Sequence, residues 1–139
     1  MRKVAIVGGG LSKWGMRSAT WKEMVQEAGK SLFDSVRNLD KKDIDSLIVG
    51  AAQPERLTFQ THVAPMVAEE LGVRPHKVIM RTELACASGQ CAIRVAYACI
   101  AAGLSDLALV VGAEKMNLPN MAEGQTSMTN VLDREWEGV

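Results

Sequence analysis

The chain has 139 residues, 47% of them hydrophobic and 23% charged, and its 16 basic side chains balance 16 acidic ones. A chain of this length can bury the core of one domain, and its composition is ordinary for a globular protein. Zero net charge and the lack of a basic stripe with interleaved aromatics exclude a typical nucleic-acid surface. No apolar run approaches the ~20 residues of a membrane span, so we expect neither nucleic acid nor membrane as a partner.

The first part of the chain predicts one strand and one long helix. Residues 4–7 form a β-branched run that stops at three glycines, which predicts a buried strand. Thr20 predicts the start of a helix, because Glu23 three residues later completes the pattern of a capping box. Apolar residues recur at helical spacing as far as Leu39. The charged cluster within residues 40–45 is interpreted as a solvated turn.

Two further strands and a second helix follow. Short apolar runs predict strands at residues 47–49 and 78–80. Residues 51–60 contain few apolar positions and predict a loop. A helix is expected from about residue 61 to residue 71, and Gly72 marks its end.

Residues 88–102 are nearly all small or apolar on every side, which predicts a helix that is buried all round. At ~1.5 Å per residue the helix is too short to cross a membrane. Gly103 ends it, and residues 107–111 predict the last strand. A helix of this kind needs cover on both faces, yet the sequence after Met116 is polar and has no clear period. We therefore expect a missing C-terminal portion, a second subunit, or both.

Strand and helix thus alternate four times along the chain. This order predicts an α/β fold with a mostly parallel sheet, crossover helices and a buried helix. The glycines at positions 8–10 suggest a dinucleotide-binding turn, but that fingerprint needs a glycine where Lys13 stands and a helix that starts at once. A nucleotide site is therefore rejected.

The cysteines indicate a reducing compartment. Cys86, Cys91 and Cys99 are an odd number within one short segment, which is no disulfide framework, and no Cys-x-x-Cys pair predicts a metal site. Reduced thiols fit a cytosolic protein, and the apolar run near the N-terminus is too short for a signal peptide. We expect a cytoplasmic protein without a bound metal.

Cys86 is the candidate nucleophile. It follows the strand at residues 78–80 through a short connection and lies at the predicted start of the buried helix. Backbone N–H groups and the positive end of the helix dipole there favour a reactive thiolate, and the N–H of Cys86 is a candidate oxyanion donor. From the residues alone, the alternative that Cys86 is one more small apolar core residue has similar support.

The other candidate groups have simpler interpretations. Cys91 is turned by about 140° from Cys86 at ~3.6 residues per turn, so the two thiols cannot share a site. Cys99 lies deep in the helix, and both cysteines are interpreted as core residues. His62 and His76, the two histidines, are expected to be exposed loop residues rather than catalytic bases.

The segment Glu83-Leu-Ala-Cys86-Ala-Ser-Gly89 resembles the thiolase superfamily, in which a Cys-x-Ser-Gly turn carries the nucleophile into a buried helix. Gly10-Leu-Ser-Lys-Trp-Gly15 is similar to the turn after the family's first strand. Ala101-Ala-Gly-Leu-Ser-Asp106 and Val111-Gly-Ala-Glu-Lys-Met116 look like the stretch after the nucleophile helix, and Asp133-Arg-Glu-Trp-Glu137 like part of the loop region. The pattern has the character of archaeal and sterol-carrier-protein-x-type thiolases, that is, of acetyl-CoA C-acetyltransferases and acetyl-CoA acyltransferases.

This resemblance implies a five-layer αβαβα fold, with residues 1–116 as an N-terminal half-domain and residues 117–139 as the truncated start of a loop region. It implies acyl transfer between acyl-CoA thioesters, as in acetoacetyl-CoA formation or thiolysis, through an acyl-enzyme on Cys86. Coenzyme A thioesters would be substrates, with no bound cofactor. The implied partners are a C-terminal thiolase half and further copies in a dimer or tetramer. The family's activating histidine and second acid/base motif do not occur here, so little turnover is expected of this chain alone.

Two alternatives remain open. A 3-hydroxy-3-methylglutaryl-CoA synthase or ketoacyl synthase would share the fold, and the former needs a glutamate before its cysteine. Glu55 stands in roughly that region, but its surroundings lack the synthase pattern, and it is interpreted as an exposed loop acid. The second alternative is a non-catalytic assembly module.

Overall fold

The computed structural model describes residues 2–116, 129–133 and 135–137. Within these ranges the chain forms three strands and four α-helices. The helices are α1 (Trp21–Ser35), α2 (Pro54–Leu57), α3 (Val63–Leu71) and α4 (Ser88–Ala101). The strands are β1 (Ser46–Gly50), β2 (Val78–Thr82) and β3 (Ala108–Gly112). Among the described residues, no helix is long and apolar enough to cross a bilayer.

The three strands form a parallel sheet with β1 in the middle, in the order β2-β1-β3. Gly50, at the end of β1, pairs with Thr82 on one side and with Gly112 on the other. All five residues of β1 are buried. The predicted α/β class and the parallel sheet are therefore confirmed, and the carboxyl ends of the strands meet at one edge.

The core lies on both faces of this sheet, because successive residues of β1 point to opposite sides. Leu47 and Val49 belong to one apolar cluster, which includes residues of α1 and α3. Ile48 packs on the opposite face against Ala92 and Ala96 of α4. Burying each of these large β1 side chains contributes about 1.5–3 kcal/mol, so the sheet positions α4 firmly.

The local helix signals are confirmed. Thr20 caps α1: its hydroxyl accepts a hydrogen bond from the N–H of Glu23 at 3.2 Å, and the Glu23 carboxylate accepts one from the N–H of Thr20 at 2.7 Å. Gly72 ends α3 with a φ of 65°, a conformation that suits glycine.

The predicted strand at residues 4–7 is wrong. This segment has no regular structure, and Ile6 is 87% exposed. A strand needs a neighbour that completes its hydrogen-bonded ladder, and an apolar pattern does not reveal whether that neighbour is present. The chain nevertheless passes close to α1, since a side chain at Gly10 would collide with the backbone of Ala28 and Leu32.

The prediction that the helix at 88–102 is buried all round is also wrong for the described residues. Ala92 and Ala96 face the sheet, whereas Ile93 and Tyr97 are each about half exposed. The sheet covers one face of α4, and an all-apolar sequence cannot specify how many layers are supplied. Residues 117–128 lie outside the described ranges, so the division of the chain at residue 116 remains a prediction.

Two segments predicted to be irregular contain more structure. Residues 51–60 include the short helix α2. The cluster at residues 40–45 is exposed as expected as far as Asp43, but Asp45 is only 4% exposed. The prediction that Asp45 is solvated is therefore wrong.

Asp45 joins the amino ends of the strands. Its carboxylate accepts hydrogen bonds from the Ser105 hydroxyl at 2.5 Å and the Asp106 N–H at 2.7 Å, and it forms an ion pair with Lys77 at 3.0 Å. Burial raises the pKa of this carboxyl, but the hydrogen bonds from Ser105, Asp106 and Lys77 outweigh burial and hold the pKa well below its ordinary value. The group is therefore ionised in the folded protein at neutral pH.

Candidate functional site

Cys86 lies at the carboxyl edge of the sheet. It is the middle residue of a 3-10 turn, Ala85–Ala87, that connects the end of β2 to the start of α4. The thiol is exposed and free. In parallel α/β sheets this edge is where ligands ordinarily bind, and a helix start offers unpaired N–H groups. The predicted location of Cys86 is confirmed. Its role as a nucleophile stays a prediction.

The turn before Cys86 has an unusual backbone. Ala85 has a φ of 45°, in the left-handed region that disfavours residues with a Cβ. The hydroxyl of Ser88 contacts the backbone on both sides of this bend: it accepts from the Leu84 N–H at 2.9 Å and donates to the Ala85 carbonyl at 2.6 Å. The carboxylate of Glu83 accepts the Ala85 N–H at 2.5 Å. Sequence reasoning found Cys86 but missed these hydrogen bonds.

The start of α4 also touches the end of β1. A Cβ placed on Gly50 would lie 2.6 Å from the carbonyl oxygen of Ser88 and 2.8 Å from the Cα of Gly89. Because both of these are backbone atoms, neither can move aside without shifting the helix. Glycine at position 50 therefore sets the distance between the sheet and the cysteine turn.

Replacing Gly50 with alanine is expected to destabilise the fold by about 1–3 kcal/mol, as overpacking typically does, and to displace the start of α4. Chemical denaturation measures the loss. Gly112 is the matched control, because it pairs with Gly50 in the adjacent strand and a Cβ there would have no neighbour within 4 Å. Equal losses for G50A and G112A would contradict the steric argument.

An open cleft of about 640 Å³ lies beside the turn. One wall is the segment after β1 and the other is the segment before Cys86; the lining includes Gln53, Glu55, Arg56, Glu83, Leu84 and Ala85. The cleft is broad and open to solvent, and it is lined by Ala85, the neighbour of Cys86, but not by Cys86 itself. A ligand in the cleft would therefore lie beside the cysteine turn.

Glu114 fixes the segment that forms the first wall. Its carboxylate accepts hydrogen bonds from the backbone N–H of Ala52 at 2.6 Å and of Gln53 at 3.3 Å. The adjacent Lys115 donates to the carbonyl oxygens of Arg17 and Ala19. Sequence reasoning did not assign these roles, although two adjacent charged residues just beyond the end of a strand were a usable signal.

Glu55 lines the cleft, but its carboxylate is not free. Its carboxylate forms an ion pair with the guanidinium of Arg81. Burial raises the pKa of the Glu55 carboxyl, but the hydrogen bond and positive charge of Arg81 outweigh burial and hold this pKa below its ordinary value. A carboxylate kept ionised in this way is poorly suited to donate a proton, so no observation favours the synthase alternative.

The remaining sequence candidates are not among the residues that line the cleft. Cys91 and Cys99 lie within α4 and are partly buried. His62 and His76 are exposed, as expected; His62 precedes α3 and His76 precedes β2. Within residues 2–116, 129–133 and 135–137, no three His, Cys, Asp or Glu side chains are grouped so as to hold a metal ion.

Comparison with known proteins finds a matching family model and several similar sequences. Residues 4–137 match the sequence model of the thiolase N-terminal domain. An acetyl-CoA acetyltransferase of Methanocaldococcus jannaschii is 36% identical over 140 aligned positions, which include all of this chain and 35% of the relative. An acetyl-CoA acetyltransferase of Methanothermobacter thermautotrophicus is 29% identical, over 99% of this chain and 35% of the relative.

A third relative has a different named substrate. The benzoylsuccinyl-CoA thiolase subunit BbsB of Thauera aromatica is 32% identical over 135 positions, covering 96% of this chain and 33% of the relative. The chain thus spans about a third of the length of the relatives that it matches.

Proposed function

Since the chain belongs to the thiolase family and carries the family's N-terminal domain, we propose that the complete protein transfers acyl groups between acyl-CoA thioesters. The single observation behind this proposal is the position of Cys86, an exposed thiol at the start of a helix beside an open cleft, within a chain that matches this domain over residues 4–137. The acetyl-CoA acetyltransferases among its relatives favour acetoacetyl-CoA formation or thiolysis.

In this proposal Cys86 forms an acyl-enzyme. Its thiolate attacks the thioester carbonyl carbon, and the resulting oxyanion accepts a hydrogen bond from the N–H of Cys86. The carbon–sulfur bond to coenzyme A then breaks, and the departing thiolate takes a proton. In the second step free coenzyme A attacks the acyl-enzyme in thiolysis, or the α-carbanion of acetyl-CoA attacks it in condensation.

The residues for the proton transfers are expected outside this chain. His76 precedes β2, at the amino end of the sheet, whereas Cys86 lies beyond the carboxyl end of the same strand. His62 is an exposed residue before α3 and is not among the residues that line the cleft. We therefore propose that a C-terminal thiolase half supplies the base and the second acid/base group, and that residues 1–139 alone have little turnover. We further propose a cytoplasmic protein that assembles as a dimer or tetramer.

Trapping the acyl-enzyme tests this function. The complete protein is mixed with acetyl-CoA labelled in the acetyl group, quenched in acid and digested with trypsin. We expect the label in the peptide of residues 82–94, which contains both Cys86 and Cys91. Fragment ions that divide the peptide between these two cysteines must carry the label on the side of Cys86. Label on Cys91, or no labelled peptide, would contradict the proposal.

A further inference from the structure

We propose that Ser88 is a positioning residue for Cys86. Its side chain fixes the backbone that leads to the nucleophile and does not touch the substrate. This inference rests on the proposed function for its meaning in catalysis. Ser88 is 5% exposed, so its hydroxyl is withdrawn from the cleft in which a substrate would lie. It acts on the backbone of the two residues that precede Cys86.

The segment before Cys86 needs external support. Leu84 adopts φ −158° and ψ 52°, outside the regular helix and strand regions, and Ala85 has a positive φ. A residue with a Cβ in the left-handed region costs on the order of 1 kcal/mol, so an unsupported turn would relax toward other conformations. Relaxation would move the sulfur of Cys86, because the sulfur's direction is set by this bend.

One hydroxyl provides the support. As described above, Ser88 accepts the N–H of Leu84 and donates to the carbonyl of Ala85. The two hydrogen bonds fix the Leu84 N–H and the Ala85 carbonyl, which lie on either side of the bend. An alanine could make neither bond, and a part-buried N–H and carbonyl would be left without this partner.

Ser88 is itself fixed to the sheet. Its carbonyl oxygen accepts a hydrogen bond from the hydroxyl of Thr82, the last residue of β2, at 3.3 Å. On the β1 side the same carbonyl faces Gly50 at the close approach described above. Through Ser88, the cysteine turn is therefore held at a fixed position relative to β1 and β2.

The hydrogen bond that Glu83 accepts gives the turn weaker support. The Glu83 carboxylate accepts the N–H of Ala85, but Glu83 is exposed, and its hydrogen bond competes with water. Since a misplacement of about 1 Å can cost a hundredfold in rate, loss of the buried hydroxyl should affect the chemical step more than substrate binding.

The test compares S88A, S88T and S105A in the complete protein. We expect S88A to lower kcat about tenfold with KM changed less than about twofold, and S88T, which keeps the hydroxyl, to recover most of the rate. S105A is the matched control: it also removes a buried serine hydroxyl that donates a hydrogen bond, but at the opposite end of the sheet. It should lower the melting temperature and leave kcat unchanged.

Alkylation gives a readout that does not depend on acyl transfer. Iodoacetamide should modify Cys86 about tenfold more slowly in S88A, because the thiolate loses its alignment with the start of α4. If S88A does not fold, T82V removes the hydroxyl that holds Ser88 and should show a smaller loss of the same kind. Circular dichroism and thermal melts establish that each variant is folded.

The outcomes separate the two proposals. Wild-type kcat and wild-type alkylation of Cys86 in a folded S88A would overturn the role of Ser88 and leave the proposed function intact. A wild-type protein that forms no acyl-enzyme on Cys86 would overturn the proposed function, and the alkylation rates would still decide whether Ser88 positions this thiol. Equal losses in S88A and S105A would also count against positioning, because they would reflect stability alone.

Discussion

Replacing Cys86 with serine in the complete protein is expected to lower kcat for acetoacetyl-CoA thiolysis on the order of a thousandfold or more. A serine hydroxyl of nearly the same size fills the position, but it is barely ionised at neutral pH, whereas a thiol forms thiolate readily. The acyl-enzyme should therefore not accumulate. Steady-state assay of coenzyme A consumption measures the loss, and melting curves verify that C86S is folded.

The other two cysteines are natural controls for this substitution. Cys91 and Cys99 lie within α4 and are partly buried, so C91S and C99S introduce the same chemical change at one position close to Cys86 in sequence and at one near the far end of the helix. Each should keep kcat within about threefold of wild type. A C86S protein that retains substantial thiolysis, or a C91S protein that loses it, would exclude the nucleophile assigned here. A protein that serves only as an assembly module would show no thiolysis before or after the change.

Replacing Asp45 with asparagine is expected to destabilise the chain by about 3 kcal/mol at pH 7. The amide keeps the size of the side chain but loses the negative charge that pairs with Lys77 and strengthens the hydrogen bonds from Ser105 and Asp106. It also brings an N–H₂ group toward other donors. The loss should appear as a lower midpoint in urea denaturation with an unchanged slope.

The effect of Asp45 has a defined pH dependence. Its folded-state pKa lies below the ordinary value of 3.8, so the unfolded chain binds the proton first as the pH falls. The stabilisation is complete above about pH 5 and is lost as the pH falls below 3.8 toward the folded pKa. The difference in stability between wild type and D45N should therefore shrink steadily as the pH falls below about 4 toward the folded pKa.

An exposed aspartate provides the comparison for D45N. Asp34 pairs with Lys30 one helical turn away on α1, and its side chain is 64% exposed. Exposed pairs of this type contribute little, so D34N should leave the urea midpoint almost unchanged. A pH-independent difference between wild type and D45N would show that side-chain shape, not charge, produces the effect.

Local sequence signals predicted much of the fold. Thr20 with Glu23, and Gly72, specify helix ends through contacts within a few residues, and both predictions are confirmed. The sheet strands were found because each contains a short continuous apolar run, although only β1 is buried along its whole length. Residues 4–7 show the limit of this reasoning, since the same pattern occurs there without a strand beside it.

The candidate site was predicted only in part. Cys86 carries a motif and precedes an apolar helix, so its place at a helix start could be inferred. The contact between Gly50 and Ser88 joins residues far apart in sequence, and no local pattern reports such an approach. Asp45 was misassigned for the same reason: its partner Ser105 lies 60 positions away, and a charged cluster alone does not reveal which member is buried.

The neighbouring charges Glu114 and Lys115 have a consequence for how the chain can change in evolution. The acid accepts two backbone N–H groups of one loop, and the base donates to two backbone carbonyls of another. Insertion of one residue after Ala113 would move the glutamate to the place of Lys115 and the lysine one place further along the chain. A carboxylate would then face the carbonyl oxygens of Arg17 and Ala19, and the N–H groups of Ala52 and Gln53 would lose their acceptor. Both loops would lose their anchoring contacts at once. The length of the chain after β3 is therefore as constrained as the identity of the two residues, and variation in length is expected elsewhere.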